Sequence, residues 1–252
     1  MADDPVAAGS ALYLYGVSRA SKGRPRKVKN PGVDGIHHVE ALPCAEFLCW
    51  VSAVDHAAFS RALESNMENL EWLALHGVRH QQVVGEIAEW ETIVPARFAT
   101  LFSSEAALRK DVEARKSALK KVFARIADSD EWGVKVLVEE QPAVAAGTTP
   151  ISSGRDYLEQ KAARIKKKPE RADAEVEEFA AALGKVAADS APSGKVSGPQ
   201  PGLLWQATFL VPRSRRKPWE AVLQQFVERW QGKRRIEVTG PWPPYSFVSD
   251  AK

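Results

Sequence analysis

The chain has little cysteine, little net charge and no long hydrophobic run. Its 252 residues include two cysteines, and 35 basic against 32 acidic residues give a formal charge of +3. A charge this small does not by itself indicate a nucleic-acid binder. No apolar run approaches the roughly 18 residues that a membrane span needs, and the acidic start MADDPVAAGS lacks the hydrophobic core of a secretion signal. We therefore expect a cytoplasmic protein without a membrane partner.

The two cysteines, Cys44 and Cys49, lie five residues apart in or near one short hydrophobic run. If that run is extended, their odd separation places the two side chains on opposite faces. We therefore expect no disulfide between them, which fits a reducing cytoplasm.

Signatures of catalysis and of cofactor binding are also missing. The sequence contains no glycine-rich phosphate loop, no G-x-S-x-G elbow and no C-x-x-C pair. His76 and His80 could share one face of a helix, as a helical metal pair does, but no acidic residue lies between them and no third ligand is apparent. We predict no catalytic residue, no cofactor and no metal site, with His76 and His80 as the candidates should a metal bind.

Hydrophobic patterns predict strands and helices along the whole chain. Runs rich in β-forming residues predict strands at 11–17, 46–54, 131–140, 203–211 and 234–240. The segment 91–100 looks extended, and its Pro95 indicates a sheet edge or a bulge. Apolar residues at helical spacing, with Phe59, Leu63, Met67 and Leu70 as the first such stripe, predict helices at 55–87 with a break near Gly77, at 103–130, at 154–168, at about 176–186 and at 218–232.

The order of these elements predicts an α+β fold of two small domains. The first part runs strand, strand, helix, strand, helix, and the second runs strand, helix, strand, helix, strand. Each suits a mainly antiparallel sheet with helices on one face, which is a ferredoxin-like arrangement. We place the N-terminal domain at residues 1–130 and the C-terminal domain at 131–252, with a helical insertion at about 153–190.

Several segments, taken together and in order, resemble one known family. They are LYLYGV near the N-terminus, ETIVPARFATLFSSEAAL, DEWGVKV, SSGRDYLEQK and TGPWPPYSF. The chain is thereby similar to the gas vesicle protein F/L family of accessory proteins. The central P-x-R-F-x-T-x-F signature of that family is carried here by Pro95, Arg97, Phe98, Thr100 and Phe102. The chain departs from the family pattern in a long basic insertion after the first strand, and at Ala96 and Ala99, where bulkier residues or glycine are expected.

The resemblance implies a non-enzymatic accessory role in gas vesicle assembly. It implies the small, very hydrophobic shell protein and other accessory proteins as partners, no nucleic acid, and a location that is partly on the vesicle. Two alternatives stay open. One is an enzyme of small-molecule metabolism with a cleft lined by His76, His80 and Arg97, and the other is a nucleic-acid-binding module that uses the basic clusters of the chain.

Two segments are candidates for interaction. Unassembled wall subunits expose apolar faces and strand edges that aggregate unless they are covered, and an accessory protein could cover them by an edge strand or an apolar groove. We predict that the partner-binding site consists of Thr92, Val94, Pro95, Arg97 and Phe98. We expect the C-terminal segment to be a structural clasp across the C-terminal sheet or between domains, formed by Pro241, Trp242, Pro243, Pro244, Tyr245 and Phe247.

Overall fold

The computed structural model of the protein describes residues 9–20, 23, 25–57, 59, 69–139, 170–192 and 200–248. These residues form an α+β fold with two antiparallel sheets, which confirms the predicted fold class. The chain divides into two units, of which unit 1 is residues 1–131 with 241–252 and unit 2 is residues 132–240. The helix predicted at 154–168, with the first part of the predicted insertion, and the stripe positions Leu63 and Met67 lie outside the described residues.

Unit 1 is built on a sheet whose central strand is the apolar run near the N-terminus. That strand is buried along almost its whole length, as an apolar strand covered on both faces should be. The strands are β1 (Ser10–Arg19), β2 (Glu40–Cys44), β3 (Phe47–Asp55), β4 (Ile93–Pro95) and β5 (Leu101–Phe102). The sheet order is β2-β3-β1-β4, β5 also pairs with β1, and all these pairings are antiparallel. The strand with Pro95 lies at an edge of this order, as its proline indicates.

Helix α1 (Leu70–Ala88) covers one face of this sheet, with Val83, Val84 and Ile87 in the same core cluster as Trp50 of β3. The break predicted near Gly77 is absent, because one glycine weakens a helix by only about 1 kcal/mol and packing of the buried face compensates for it. The prediction that Leu70 belongs to the buried stripe is also wrong, since its side chain is 78% exposed.

Helices α2 (Glu105–Ala114) and α3 (Lys116–Arg125) cover the opposite face, so the sheet of unit 1 has helices on both faces where the sequence predicted them on one. Phe47 and Trp50 point to opposite sides of β3 because their separation is odd, and Phe47 stacks on Phe123 of α3 with ring centroids 5.6 Å apart. The sequence predicted one helix here, but the chain leaves helical geometry at Arg115 (φ −95°, ψ 6°). The predicted inward stripe is buried along both helices, at Leu108, Val112, Leu119, Val122 and Ile126.

The two cysteines lie on the same side of the sheet, so the prediction that they point to opposite faces is wrong. The chain reverses direction between them, through a turn in which Ala45 has φ 55°, and the register pairs Cys44 with Phe47 and Leu42 with Cys49. Residue parity decides the face only within one strand. Both residues are buried free thiols. The hydrogen bond between them lowers the pKa of Cys44 and raises the pKa of Cys49.

Unit 2 is built from β6 (Ser129–Val138), α4 (Glu170–Val186), β7 (Asp189–Pro192), β8 (Leu203–Pro212), α5 (Arg216–Arg229) and β9 (Arg234–Trp242). Its sheet order is β7-β8-β6-β9, and its helices pack on an aromatic core. Strand β7 is not among the strands predicted from the sequence, and it pairs antiparallel with β8 from Asp189 opposite Leu210 to Pro192 opposite Ala207. The core contains Phe179, Phe209, Trp219, Phe226 and Trp230. No helix in the described ranges combines the length and the apolar character needed to cross a bilayer.

The C-terminal segment belongs to unit 1, which corrects its assignment to the C-terminal domain. The physical reason is that its aromatic groups have partners there. Phe247 is fully buried, with the guanidinium of Arg125 5.7 Å from its ring centroid. Pro243 and Pro244 are buried as well, whereas Pro241 is exposed and the side chain of Trp242 is 49% exposed.

Candidate functional site

A cavity of about 160 Å³ lies in unit 1 beside the edge strand β4. Four parts of the chain meet around it: the middle of β1, the strand β4 with the loop that follows it, helix α3, and the C-terminal segment. Its apolar lining is Leu14, Gly16, Val17, Val94, Pro95, Ala96, Leu119 and Val248, and its polar lining is Arg97, Thr100, Arg115 and Tyr245. Among the described residues, its charged lining groups are therefore both arginines.

Gly16 allows β4 to lie this close to β1. It pairs with Pro95 in the register, and a Cβ at this position would lie 2.7 Å from Cδ1 of Ile93 and 2.8 Å from the carbonyl oxygen of Val94. Such distances are shorter than van der Waals contact, so a larger residue would push the edge strand away. Gly16 therefore allows β4, which forms one side of the cavity, to pack directly against β1.

The loop from Ala96 to Thr100, which carries Arg97, is held at each end. The Ala96 N–H donates to the Tyr15 carbonyl at 2.9 Å, and the Thr100 carbonyl accepts from the Leu14 N–H at 2.9 Å. Inside the loop the Thr100 hydroxyl donates to the Arg97 carbonyl at 2.7 Å. Ala99 has φ 62°, in the left-handed region that favours glycine. This geometry explains why glycine is expected at this position.

A buried chain of polar side chains supports the same loop from below. The Tyr13 hydroxyl accepts the Ala99 N–H at 3.0 Å and lies 2.9 Å from Nδ1 of His80. The Tyr13 proton is then available to His80 Nδ1, and the ring carries its own proton on Nε2, which lies 3.3 Å from the Tyr245 hydroxyl. This tautomer follows from the hydrogen-bond pattern.

Burial keeps this chain of groups uncharged at neutral pH. Desolvation lowers the pKa of His80 to about 4, although a hydrogen bond with the backbone of Ala96 opposes the shift. Desolvation also raises the pKa of both Tyr13 and Tyr245 above the ordinary tyrosine value. The chain of groups therefore holds the loop by neutral hydrogen bonds and supplies no charge to the cavity.

The two histidines considered as metal ligands have other partners. His76 lies with Nδ1 2.7 Å from the Trp72 carbonyl and stacks on the Trp72 ring with centroids 4.1 Å apart. Arg97 lines this cavity, whereas His76 and His80 do not. In the part of the chain that the structure describes, no three His, Cys, Asp or Glu side chains are grouped to hold a metal ion.

The C-terminal segment closes one side of the cavity with Tyr245 and Val248. Ser246 anchors it, because its N–H and its hydroxyl each donate to the Glu131 carboxylate at 2.8 Å. Burial raises the pKa of Glu131, and these two hydrogen bonds partly offset the shift.

Three of the residues predicted to bind a partner, Val94, Pro95 and Arg97, line the cavity. Thr92 is half-buried just before β4, and Phe98 is half-buried with its ring centroid 5.9 Å from that of His80. Sequence reasoning missed Leu14, Val17, Arg115, Leu119, Tyr245 and Val248 as lining residues. Their local patterns indicate only a strand, an amphipathic helix and a stiff tail, and no local signal shows that these elements meet.

Comparison with known proteins gives a consistent result over almost the whole chain. The family model described as "Gas vesicle synthesis protein GvpL/GvpF" matches residues 11–249. The chain is 30% identical to gas vesicle protein L of Streptomyces sp. (strain CB03234), over 95% of the chain and 93% of that protein. It is 23% identical to gas vesicle protein F of Haloferax mediterranei, over 94% of the chain and 92% of that protein.

Two solved structures resemble the fold. One is the gas vesicle protein GvpF from Anabaena sp. PCC7120, with a TM-score of 0.70 and 18% identity over 95% of this chain and 96% of that one. The other is GvpF from Microcystis aeruginosa, with a TM-score of 0.63 and 17% identity over 95% of this chain and 99% of that one. At such identities the structures support the fold alone.

Proposed function

Because the chain belongs to the GvpL/GvpF family of gas vesicle synthesis proteins, we propose that it works by binding and not by catalysis, and that it covers the hydrophobic shell protein during assembly. An accessory role in gas vesicles follows from the family. The shell protein and other accessory proteins as partners, and a location in the cytoplasm and on the vesicle, belong to the proposal. The observation that supports it most is the cavity beside β4. Its lining is mostly apolar and includes three of the residues predicted to bind a partner.

The edges of both sheets favour recognition by side chains over recognition by strand pairing. Four edge strands, β2, β4, β7 and β9, each contain a proline, namely Pro43, Pro95, Pro192 and Pro241, and the remaining edge strand, β5, is only two residues long. Proline cannot donate to a strand ladder, and natural sheets use it to block pairing at exposed edges. A protein whose longer edge strands contain proline can bind a subunit that assembles through strands without being incorporated into the wall. We therefore place recognition in the cavity and not along the backbone of β4.

The lining of the cavity supports binding rather than catalysis. Among the described residues it contains no Asp, Glu, His or Cys, and Tyr245 stays protonated because burial raises its pKa. General acid–base catalysis needs a group whose pKa lies near the working pH. Arginine and buried tyrosine do not provide one, whereas an apolar recess with a basic rim can recognise a side chain.

The partner can be tested by retention of the shell protein on the immobilised full chain. We expect wild type to retain it and a double variant, Thr92→Glu with Arg97→Glu, to retain roughly tenfold less, because two acidic groups would replace a neutral and a basic one at the site. The matched control is Val138→Glu with Lys217→Glu, two exposed positions in unit 2. Equal retention by the two double variants would remove this site from the proposal.

The accessory role can be tested in a vesicle-forming cell. We expect deletion of the gene to leave cells with few vesicles and with aggregated shell protein, because uncovered apolar faces and strand edges associate. Buoyant cells with a normal number of vesicles would contradict the proposal.

A further inference from the structure

We propose that the cavity beside β4 receives one apolar side chain of the shell protein, and that a carboxylate next to that side chain pairs with Arg97. This inference rests on the proposed function, and it adds the chemistry that the partner must present: an acidic residue adjacent to a leucine-sized or phenylalanine-sized residue.

The size and the walls of the cavity match one apolar side chain. Its volume is about 160 Å³, and an apolar cavity of about 150 Å³ is large enough to hold a benzene ring. Four parts of the chain contribute aliphatic walls, among them Leu14, Val94, Leu119 and Val248. A recess of this size has room for one inserted group and not for a helix or a strand.

The positive charges at the cavity favour a partner in which an acidic residue lies next to the inserted apolar side chain. Arg115 already pairs with Asp111 on α2. Arg97 is exposed, and within the described residues its guanidinium makes no ion pair and no side-chain hydrogen bond. An arginine fork binds a carboxylate through two parallel hydrogen bonds. An acidic group that enters here meets positive charge and no competing carboxylate in the lining.

The rim is also fixed before a partner arrives. The carbonyl of Arg97 accepts the Thr100 hydroxyl and the Thr100 N–H, and the neighbouring Ala99 N–H is held by Tyr13. A loop that is already ordered loses little conformational entropy on binding, so more of the interaction energy appears as affinity. Arg97 is therefore a binding group on a rigid support.

The first experiment measures the cavity alone, with the intact chain and two small probes. The probes are 4-methylpentanoate and 4-methylpentanamide, which share an aliphatic stem and differ in charge. We expect both to shift the NMR signals of the methyl groups of Leu14, Val94 and Leu119, and the carboxylate to bind roughly three- to tenfold more tightly than the amide. In Arg97→Gln the preference for the carboxylate should vanish, and in Arg97→Lys part of it should remain.

Two results of this experiment would overturn the inference. One is that neither probe shifts the methyl signals at the cavity. The other is that the acid and the amide bind equally well to wild type, because the proposed role of Arg97 would then have no measurable effect.

The second experiment measures retention of the shell protein by cavity variants. We expect Ala96→Phe, which fills the cavity, and Arg97→Glu, which reverses its charge, each to reduce retention about tenfold. The controls are Ala118→Phe and Lys121→Glu, which make the same changes in a separate surface recess on α3 and should retain the shell protein as wild type does. Thermal unfolding of each variant shows whether it is folded. If Ala96→Phe does not fold, Arg97→Glu still tests the inference.

The outcomes separate this inference from the proposed function. If wild type does not retain the shell protein, both fail, and the probes then report whether the cavity binds any apolar carboxylate. If wild type retains it and the two cavity variants retain it equally well, the inference alone fails. Loss in both cavity variants with full retention in both controls supports it.

Discussion

Unit 1 and unit 2 both bury large aromatic side chains, but they differ in what happens to the polar atoms on those rings. In unit 1 the Tyr15 hydroxyl lies 2.9 Å from the Ser52 hydroxyl and accepts the Val33 N–H at 2.6 Å, and Nε1 of Trp50 donates to the Ser18 hydroxyl at 3.0 Å. In unit 2 the indole N–H groups of Trp219 and Trp230 are buried and have no hydrogen-bond partner among the described residues.

This difference in hydrogen bonding indicates which parts of the structure each core holds in place. The ring hydroxyls of unit 1 bond the backbone of loops: Tyr13 holds the loop of Arg97, and Tyr15 holds the basic insertion at Val33. Such bonds have direction, so they fix a surface as well as a core. The core of unit 2 is stabilised by buried aromatic surface, and two of its indole N–H donors have no partner among the described residues. This comparison favours unit 1 as the half of the molecule that carries the binding surface.

The largest effect that the comparison predicts is the loss of stability when buried aromatic surface is removed from unit 2. Phe179 is fully buried and its ring centroid lies 4.9 Å from that of Phe226 and 5.2 Å from that of Trp230. We expect Phe179→Ala to lower the free energy of unfolding by about 3–5 kcal/mol, because it removes a large group and leaves a cavity. Amide hydrogen exchange in β8 should report the loss. Unchanged protection there would show that this core does not depend on its aromatic area.

The next effect is the loss of one hydroxyl in unit 1. Tyr13→Phe keeps the ring but leaves the Ala99 N–H and Nδ1 of His80 without their partner. We expect a loss of about 2–3 kcal/mol, since buried polar groups without partners carry their full desolvation penalty. We also expect weaker retention of the shell protein, because the loop of Arg97 loses its support. A stable variant with normal retention would break the proposed link between the polar core and the binding surface.

The third effect is a pH dependence that belongs to unit 1, which contains all five histidines of the chain. Burial lowers the pKa of His80 from 6.5 to about 4. Between these values the unfolded chain binds a proton that the folded unit does not, so the free energy of unfolding falls as the pH falls. Above pH 6.5 His80 is neutral in both states and the protein has its full stability. Between pH 7 and 5 we expect the free energy of unfolding to fall by about 2 kcal/mol.

The control for this pH dependence is His80→Gln, measured by denaturant unfolding at the same pH values. The variant cannot take up a proton at this position, so its stability should depend less on pH over this range. Measurements are made at pH 5 and above, where the carboxyl groups of Asp34 and Glu86, whose pKa values are lowered in the folded state, remain ionised. Equal slopes for wild type and variant would contradict the assignment to His80.

The sequence predicts the parts of these two cores that depend on local hydrophobic pattern, and it misses the parts that depend on pairing or on turns. The strand at 11–17 and the inward stripe from Leu108 to Ile126 are set by local hydrophobic pattern, and both appear as predicted. The strand at Asp189–Pro192 was missed because its composition is that of a loop, and pairing with β8 determines its conformation. The shared face of Cys44 and Cys49 was missed because it depends on a turn between them.

The candidate site was predictable in part for the same reason. Pro95 indicated an edge strand, and the family signature drew attention to Arg97. The contribution of Tyr245 depends on contacts with residues far away in sequence, such as His80, and no periodicity encodes those contacts. Stiffness and aromatic content indicated that the C-terminal segment is held down, but they did not indicate on which unit.

The smallest predicted effect compares one tryptophan from each unit. Trp50→Phe and Trp219→Phe remove the same atoms from fully buried sites, so their losses of area and volume are similar. They differ in one respect: the first leaves the Ser18 hydroxyl without its donor, whereas the second removes an N–H that has no partner among the described residues. We expect Trp50→Phe to lower the free energy of unfolding by about 1–2 kcal/mol more than Trp219→Phe does. Denaturant unfolding of both variants, with hydrogen exchange to assign each loss to its unit, measures this difference. If Trp219→Phe is the more damaging change, the indole N–H of unit 2 has a partner, and the contrast between the two cores does not hold.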